Sequence, residues 1–476
     1  MSSDRDRWIA LYVLCAGMLM MVLDVTVVNV ALPSIQDDLG FSGAGLAWVV
    51  NAYLIAFAGL LLLAGRLGDL LGRRRILIGG LVVFTIASAL CGAAQNQTVL
   101  VGARFLQGVG GALASAVILG MIITLFPEPA EQMKALGFYG FVGSAGGACG
   151  LFVGGVITQI LSWHWIFLVN LPIGIAAIVL IRRYVPADVV SVQTDGADVP
   201  GAVLITSALM LAVYTVVGPV ATDGWLDARS LLLGALACLL LAAFVLRQAT
   251  AAVPLMPLRL FRSRTTVGAN VAQMLTVAGM FGMFFLCSLY LQRVLDYTPL
   301  QIGLAFLPST VLMAFISLRW ADKVVLRYGA QQTLVAGTFV TTVGLGLFTL
   351  ISVQGTYFVH VFPGVMLLGL GMGVAFPALM SLAMADATEA DAGLASGLVG
   401  TTAEAGAALG LAVLATLAQA RTDQLLGSGI AEVVALNSGY RLAFAVGAGL
   451  LLVATGVAAT VLKPSPVGAH LEPAVA

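Results

Sequence analysis

Apolar runs long enough to form membrane-crossing helices alternate along this chain with short polar breaks. An α-helix rises 1.5 Å per residue, so about 20 apolar residues cover the hydrocarbon core of a bilayer. Such runs predict helices at 9–31, 46–66, 76–95, 99–123, 135–158 and 165–182, then at 199–219, 230–247, 267–291 and 301–320. Four more follow at 331–351, 359–380, 394–418 and 440–462, giving fourteen expected spans. The first run, from Trp8 to Leu32, is too long for a cleaved signal, carries Asp24 and ends in Pro33 without a small-x-small cleavage site. It reads as a retained span.

Two polar stretches interrupt the series. Residues 183–199 hold Arg183, Pro186, Asp188, Asp195 and Asp198, and residues 247–266 hold Pro254, Pro257, Arg259, Arg262 and Arg264. The expected layout is an N-terminal six-helix half over 1–182 and a linker with two inserted helices over 183–266. A C-terminal six-helix half with a short cytoplasmic tail follows over 267–476.

Composition narrows the solvent. Of 476 residues, 60% are hydrophobic and only 9% charged, against about 45–50% and about 25% for soluble domains. A soluble protein must cover itself with polar groups, whereas lipid accepts apolar surface all round. Charge placement agrees. With the N-terminus inside, Arg5, Arg7, Arg66, Arg73, Arg74, Arg75, Lys134, Arg182 and Arg183 fall on the cytoplasmic side. So do Arg247, Arg259, Arg262, Arg264, Arg319, Lys323, Arg327 and Lys463. Only Arg229, Arg293, Arg421 and Arg441 fall outside, and Arg104 lies within a span. This positive-inside bias predicts a multi-pass protein of the cell (plasma) membrane with both termini cytoplasmic.

The balance of 22 Lys and Arg against 22 Asp and Glu argues against nucleic acid as a partner. Cys15, Cys91, Cys149, Cys238 and Cys287 are scattered through apolar segments and read as small hydrophobes. His164, His360 and His470 are isolated, and no HExxH, Walker loop or nucleophile elbow appears. No metal and no enzymatic activity are expected.

The strongest motif is Gly65-Arg66-Leu67-Gly68-Asp69-Leu70-Leu71-Gly72-Arg73-Arg74-Arg75, between spans two and three. Its glycines allow a tight turn, and Asp69 can accept hydrogen bonds from a neighbouring helix. Between spans ten and eleven, Arg319-Trp320-Ala321-Asp322-Lys323 and then Arg327-Tyr328-Gly329 repeat it weakly. Repeated halves with a site at their interface are common among secondary transporters.

With that loop, the sequence resembles the major facilitator superfamily, and within it the drug/proton antiporter branch with fourteen spans. Leu23-Asp24-Val25-Thr26-Val27-Val28-Asn29-Val30-Ala31-Leu32-Pro33 is similar to the first-span motif of that branch. Arg104-Phe105-Leu106-Gln107-Gly108 resembles the motif of the fourth helix. Trp163-His164-Trp165-Ile166-Phe167 with Asn170-Leu171-Pro172-Ile173-Gly174 resembles the start of the sixth, His164 standing where Arg is usual. Tyr290-Leu291-Gln292, Thr298-Pro299-Leu300-Gln301 and Gly393-Leu394-Ala395-Ser396-Gly397 extend the likeness into the second half. One departure is Gly150-Leu151-Phe152-Val153-Gly154-Gly155, in which Leu151 replaces the proline of the fifth-helix antiporter motif.

The resemblance implies an all-α integral membrane fold of two six-helix halves plus two inserted helices. It also implies export of hydrophobic or cationic small molecules such as drugs, antibiotics or dyes, driven by a proton gradient without any other cofactor. A dedicated exporter of one natural product on the same scaffold is the alternative. Small-molecule substrate, protons and lipid are the expected partners, and a monomer is the expected working unit.

Ionisable groups inside spans are costly and so become functional candidates. Asp24, Arg104 and Glu404 are the three expected to take part in proton coupling. Asp24 reads either as a proton carrier or as a fixed buried acid. The resemblance implies that Arg104 transfers protons or positions that acid, and a fixed counter-ion is the plainer reading. Glu404, flanked by Gly400, Thr401, Ala407 and Ala408, is the candidate for contacting a cationic substrate. Asn270, Gln273, Met274 and Phe281 in span nine complete the candidate substrate wall, although such a stripe also suits plain packing. Gly65, Asp69, Gly72, Arg73 and Arg74 form the candidate conformational loop.

Overall fold

The computed structural model describes residues 4–126, 128–186, 198–252, 254–255, 263–385 and 392–462, and among these every regular element is a helix. The N-terminal series is α1 (Asp4–Leu39), α2 (Gly43–Leu71), α3 (Arg73–Gly92), α4 (Gln97–Leu125) and α5 (Pro129–Ile160). It closes with the single turn α6 (Trp165–Leu168), which leads directly into α7 (Asn170–Tyr184). The inserted pair is α8 (Val199–Thr215), running through a π-helical turn (Val216–Val220) into α9 (Ala221–Asp223), and then α10 (Ala228–Thr250). The C-terminal series is α11 (Arg264–Arg293), α12 (Pro299–Arg319), α13 (Ala321–Tyr328), α14 (Ala330–Leu347), α15 (Phe362–Ala383), α16 (Ala392–Gly427) and α17 (Glu432–Thr460).

Thirteen helical segments among the described residues are long and apolar enough to cross a membrane, against the fourteen expected. The one not included is the run expected at 135–158, which falls in α5. Many of its side chains lie outside the described residues, and only described residues enter that tally. At 32 residues α5 is nevertheless the length of its neighbours.

The helix ends follow local chemistry. Ser42, Asn96, Asp198, Asp227, Ser263 and Thr298 each accept a hydrogen bond from a first-turn N–H of the helix they precede. Thr298 and Gln301 complete a capping box, each side chain bonding the other's backbone.

One set of partners occurs twice. In the first series α1 packs on α5 and α7, α4 packs on α2 and α3, and α3 meets α7. In the second, α11 packs on α16 and α17, α15 packs on α12 and α14, and α14 meets α17. The two series join through α2 against α16 and α5 against α12. The echo between the two loops is also structural. Gly72 (φ 97°) opens α3 and Gly329 (φ 84°) opens α14, both in the left-handed region that a side chain disfavours.

The inserted pair leans on one of the joints. Helix α8 packs on α2, meeting it where Gly59 faces Thr206, and the π-helical turn reaches α16. There Thr416 Oγ1 donates to the Val216 carbonyl at 3.2 Å. Helix α10 lies outermost and leaves Leu232, Leu239 and Leu246 exposed, apolar surface suited to lipid rather than water.

Candidate functional site

A sealed polar cluster sits inside the first series. Asp24 lies midway along α1, Ser88 on α3, Arg104 and Gln107 on α4, and Asn170 at the start of α7. Arg104 and Gln107 stand three residues apart, so they share one face of their helix. Arg104 Nη1 donates to Asp24 Oδ2 at 2.5 Å and to Gln107 Oε1 at 2.6 Å. The opposite carboxylate oxygen, Oδ1, accepts from Gln107 Nε2 at 2.6 Å and from Asn170 Nδ2 at 3.0 Å. Gln107 Nε2 also reaches Ser88 Oγ at 2.7 Å, and Arg104 Nε donates to the Val49 carbonyl of α2 at 2.8 Å.

Side-chain exposure is 1% at Arg104 and 0% at Asp24. A buried ion pair survives only if its remaining donors and lone pairs are satisfied, because desolvation costs several kcal/mol per ion. Here neutral amides and a hydroxyl supply that satisfaction. The Arg104 guanidinium also lies over the rings of Tyr53 (4.7 Å) and Phe167 (5.6 Å), adding cation–π attraction where no water competes.

Packing of α4 on α2 makes the approach possible. A Cβ on Gly108 would stand 2.3 Å from the Tyr53 carbonyl oxygen, so only glycine lets the two backbones come this close. Gln107, Asn170, Ser88 and Tyr53 were not singled out from the sequence. Gln107 and Asn170 stand inside the very motifs that carry Arg104 and Trp163, and a polar residue within an apolar run was their available signal.

Glu404 lies apart from this cluster, on α16. Gly397 and Gly400 face Leu62 and Leu61 of α2, and Glu404 follows one turn further along the same helix. It is half-buried, and no hydrogen bond or ion pair holds its carboxylate among the described residues.

The candidate substrate wall divides. Asn270 Oδ1 accepts from Thr402 Oγ1 at 2.8 Å, and its Nδ2 donates to the Thr266 carbonyl at 2.8 Å, so Asn270 is engaged in packing α11 on α16. Met274 backs onto Gly406 of the same helix. Gln273 donates to the Val399 carbonyl at 3.4 Å while its Oε1 is buried without a partner. Phe281 is half-buried against the main core. The structure places Gln273, Ser288 and Gln292 on one face of α11 with Phe281 and Phe284, and each of the three polar groups keeps a buried oxygen without a partner.

The loop between α2 and α3 is built as a junction. Gly72 N–H bonds the Gly68 carbonyl, Arg73 Nη1 donates to the Gly120 carbonyl near the end of α4 at 3.0 Å, and Arg74 Nη2 donates to the Arg182 carbonyl in the last turn of α7. Gly65 faces open space. The side chains of Asp69, Cys149, Leu151 and Asp322, and residues 187–197 and 256–262, lie outside the described residues. Among the described residues no cluster of three or more His, Cys, Asp or Glu forms a metal site.

A sealed acid–arginine pair within a bundle of apolar helices is the arrangement of a membrane transporter core, and comparison with known proteins agrees. The profile of the Major Facilitator Superfamily matches residues 14–411. The chain belongs to that superfamily. It is a transporter rather than an enzyme, carried on a multi-pass membrane fold.

Among its superfamily relatives is a puromycin resistance protein of Streptomyces alboniger, 38% identical over 97% of this chain and 92% of that protein. A cephamycin export protein of Amycolatopsis lactamdurans is 37% identical over 87% of this chain and 85% of its own length. A tetracenomycin C resistance and export protein of Streptomyces glaucescens is 33% identical over 94% and 82%. Among solved structures, an auto-inhibited POT family peptide transporter aligns over 99% of both chains with a TM-score of 0.70 at 14% identity. A bacterial homologue of the human lysosomal transporter Spinster gives the same score over 98% of this chain and 100% of that one. These two show a shared superfamily fold.

Proposed function

We propose that the chain exports hydrophobic or cationic small molecules from the cell in exchange for protons, as a fourteen-span member of the drug/proton antiporter branch. The observation that carries this reading is the sealed Asp24–Arg104 pair, an expensive charge arrangement inside the bundle. Antibiotic resistance and export relatives support the direction of transport.

In this scheme a proton arriving on Asp24 neutralises the carboxylate and releases Arg104 Nη1, which keeps Gln107 Oε1 and the Val49 carbonyl as acceptors. Outward-facing, the protonated state gives up substrate; inward-facing, loss of the proton restores the ion pair and substrate binds. Glu404, with the oxygen of Gln273 that has no partner among the described residues, offers the substrate negative and hydrogen-bonding groups on the Met274 and Phe281 side of α11. Residues 1–182 and 267–476 form the two rocking halves, the protein sits in the plasma membrane with both termini cytoplasmic, and it works as a monomer with no cofactor beyond the proton gradient.

Proton release from inside-acid proteoliposomes on adding candidate substrates tests the scheme. Asp24→Asn should abolish substrate-driven proton release, and Glu404→Gln should abolish transport of cations. Full coupled transport by both variants would sink the assignment.

A dedicated exporter of one natural product is the second reading, favoured by the single antibiotic named in each relative. Resistance conferred against one chemical class only, across a panel of antibiotics and dyes, would select it.

A further inference from the structure

Tyr53 occupies a position that the scheme above does not use. Its side chain is buried, at 2% exposure, and its ring carries the Arg104 guanidinium at 4.7 Å. The same ring stacks on Phe57 one turn along α2, at 5.7 Å between centroids and 26° between planes. The hydroxyl points towards Gly111 of α4, where an added Cβ would lie 2.8 Å away. Helix α2 is also the element that packs against α16, the helix that carries Glu404.

When Asp24 is charged, Arg104 has an anion, two further acceptors and two aromatic faces. When Asp24 is neutral, its carboxyl offers at most an uncharged acceptor, and Gln107 Oε1, the Val49 carbonyl and the rings of Tyr53 and Phe167 must hold a desolvated cation without a counter-ion. The ring quadrupole then becomes a larger share of what keeps Arg104 in place. A guanidinium that swung away would leave Asp24 without its partner when the proton departs.

We propose that Tyr53 is a positioning residue whose ring holds Arg104 while Asp24 is neutral and ties the state of that pair to the α2–α16 joint where Glu404 sits. The first part stands on geometry alone, and the link to transport rests on the proton-exchange reading. Tyr53 itself carries no proton in this scheme; its hydroxyl is dispensable and its ring is not.

Melting temperatures of the purified full chain in detergent test the first part, comparing Tyr53→Leu and Tyr53→Phe in the native and Asp24→Asn backgrounds. Tyr53→Leu should cost on the order of twice as many degrees in the Asp24→Asn background, because cation–π attraction strengthens when the cation is desolvated and unpaired. Tyr53→Phe should be close to native in both. Equal losses from Tyr53→Leu in the two backgrounds, or failure of Tyr53→Phe to rescue, would overturn the proposal. Should the Asp24→Asn protein not accumulate, Arg104→Met replaces it as the background. The loss from Tyr53→Leu should then shrink to the cost of its lost core packing and Phe57 stacking, and an undiminished loss overturns the proposal.

Ethidium-driven proton release from proteoliposomes tests the link to transport. Tyr53→Leu should reduce it strongly while Tyr53→Phe preserves it, and native release by Tyr53→Leu overturns the link. Absence of proton release by the native chain with every substrate it transports would defeat the exchange reading, while the melting comparison would still decide the role of Tyr53.

Discussion

Asp24 accepts from three side chains on two other helices, so changing it separates stability from charge. Asp24→Asn leaves Arg104 buried without a counter-ion, and breaking a buried pair from one side costs about 3–5 kcal/mol. The variant should therefore melt well below the native chain in detergent. Adding Arg104→Gln removes the stranded charge, so the double variant should recover much of that loss while still failing to couple transport. A double variant that melts no higher than Asp24→Asn alone would show that the cost lies in lost packing instead. Ser88→Ala removes a neutral acceptor of Gln107 Nε2 and, at 3.4 Å, of Asn170 Nδ2, and should cost about 1–2 kcal/mol in the same melt.

Among the helices, the α2–α4 contact is the most sensitive. Any side chain at Gly108 meets the Tyr53 carbonyl at 2.3 Å, so Gly108→Ala must push α2 away from Arg104. Overpacking of this kind costs roughly 1–3 kcal/mol, and the variant should lose both melting temperature and transport.

The inserted pair has its own clamp. Asp198 caps α8, accepts from Arg247 Nε at 2.9 Å and accepts from Gln248 Nε2 at 2.8 Å, both on α10. Burial alone would raise the Asp198 carboxyl pKa, but the bonds from Arg247, Gln248 and the Gly201 N–H outweigh it and leave the pKa below its ordinary 3.8. A depressed carboxyl contributes stability that is complete above the unfolded value and disappears as pH falls through the folded one. Protection of the amides in the first turn of α8, measured against their intrinsic exchange, should therefore be steady from neutral pH down to about 5 and should fall only below 3.8. Asp198→Asn should lower that protection at neutral pH.

Across the whole molecule, the two series also meet at the C-terminal ends of α1 and α11. Arg293 pairs with Asp37 and donates to Gln36 at 3.3 Å, while the Leu300 N–H donates to Gln159 Oε1 at 3.2 Å. The ion pair is partly open to solvent, with side-chain exposures of 32% and 55%, so it contributes at most about 1 kcal/mol. Arg293→Ala should shift the balance between open and closed arrangements by no more than about five-fold. Distances between spin labels at exposed positions 95 and 428 would measure it. A complete switch to one arrangement would mean that this contact dominates the closure.

Much of this architecture was legible in the sequence, because a membrane core imposes one simple rule. Lipid cannot satisfy backbone polar groups, so each crossing must be a helix of apolar residues, and run length alone locates it. The run at 135–158 lies within α5, a helix of 32 residues, so run length located that helix as well. Motif residues also pointed to Asp24 and Arg104, since an ionised group in hydrocarbon needs a reason to be there. The resemblance linked Arg104 to that acid, but the amides and hydroxyl around the pair could not be read. Asp24 and Arg104 are 80 positions apart, and Asn170 is 146 from Asp24; which side chains meet depends on helix rotation and on close approaches such as Gly108. The same dependence set Asn270 against Thr402 of α16 and brought Tyr53 beneath Arg104. The chain itself determined its solvent, its helices and its buried charges. Packing decided which charges touch, because lipid exerts no pull that would select one helix face over another without side-chain fit.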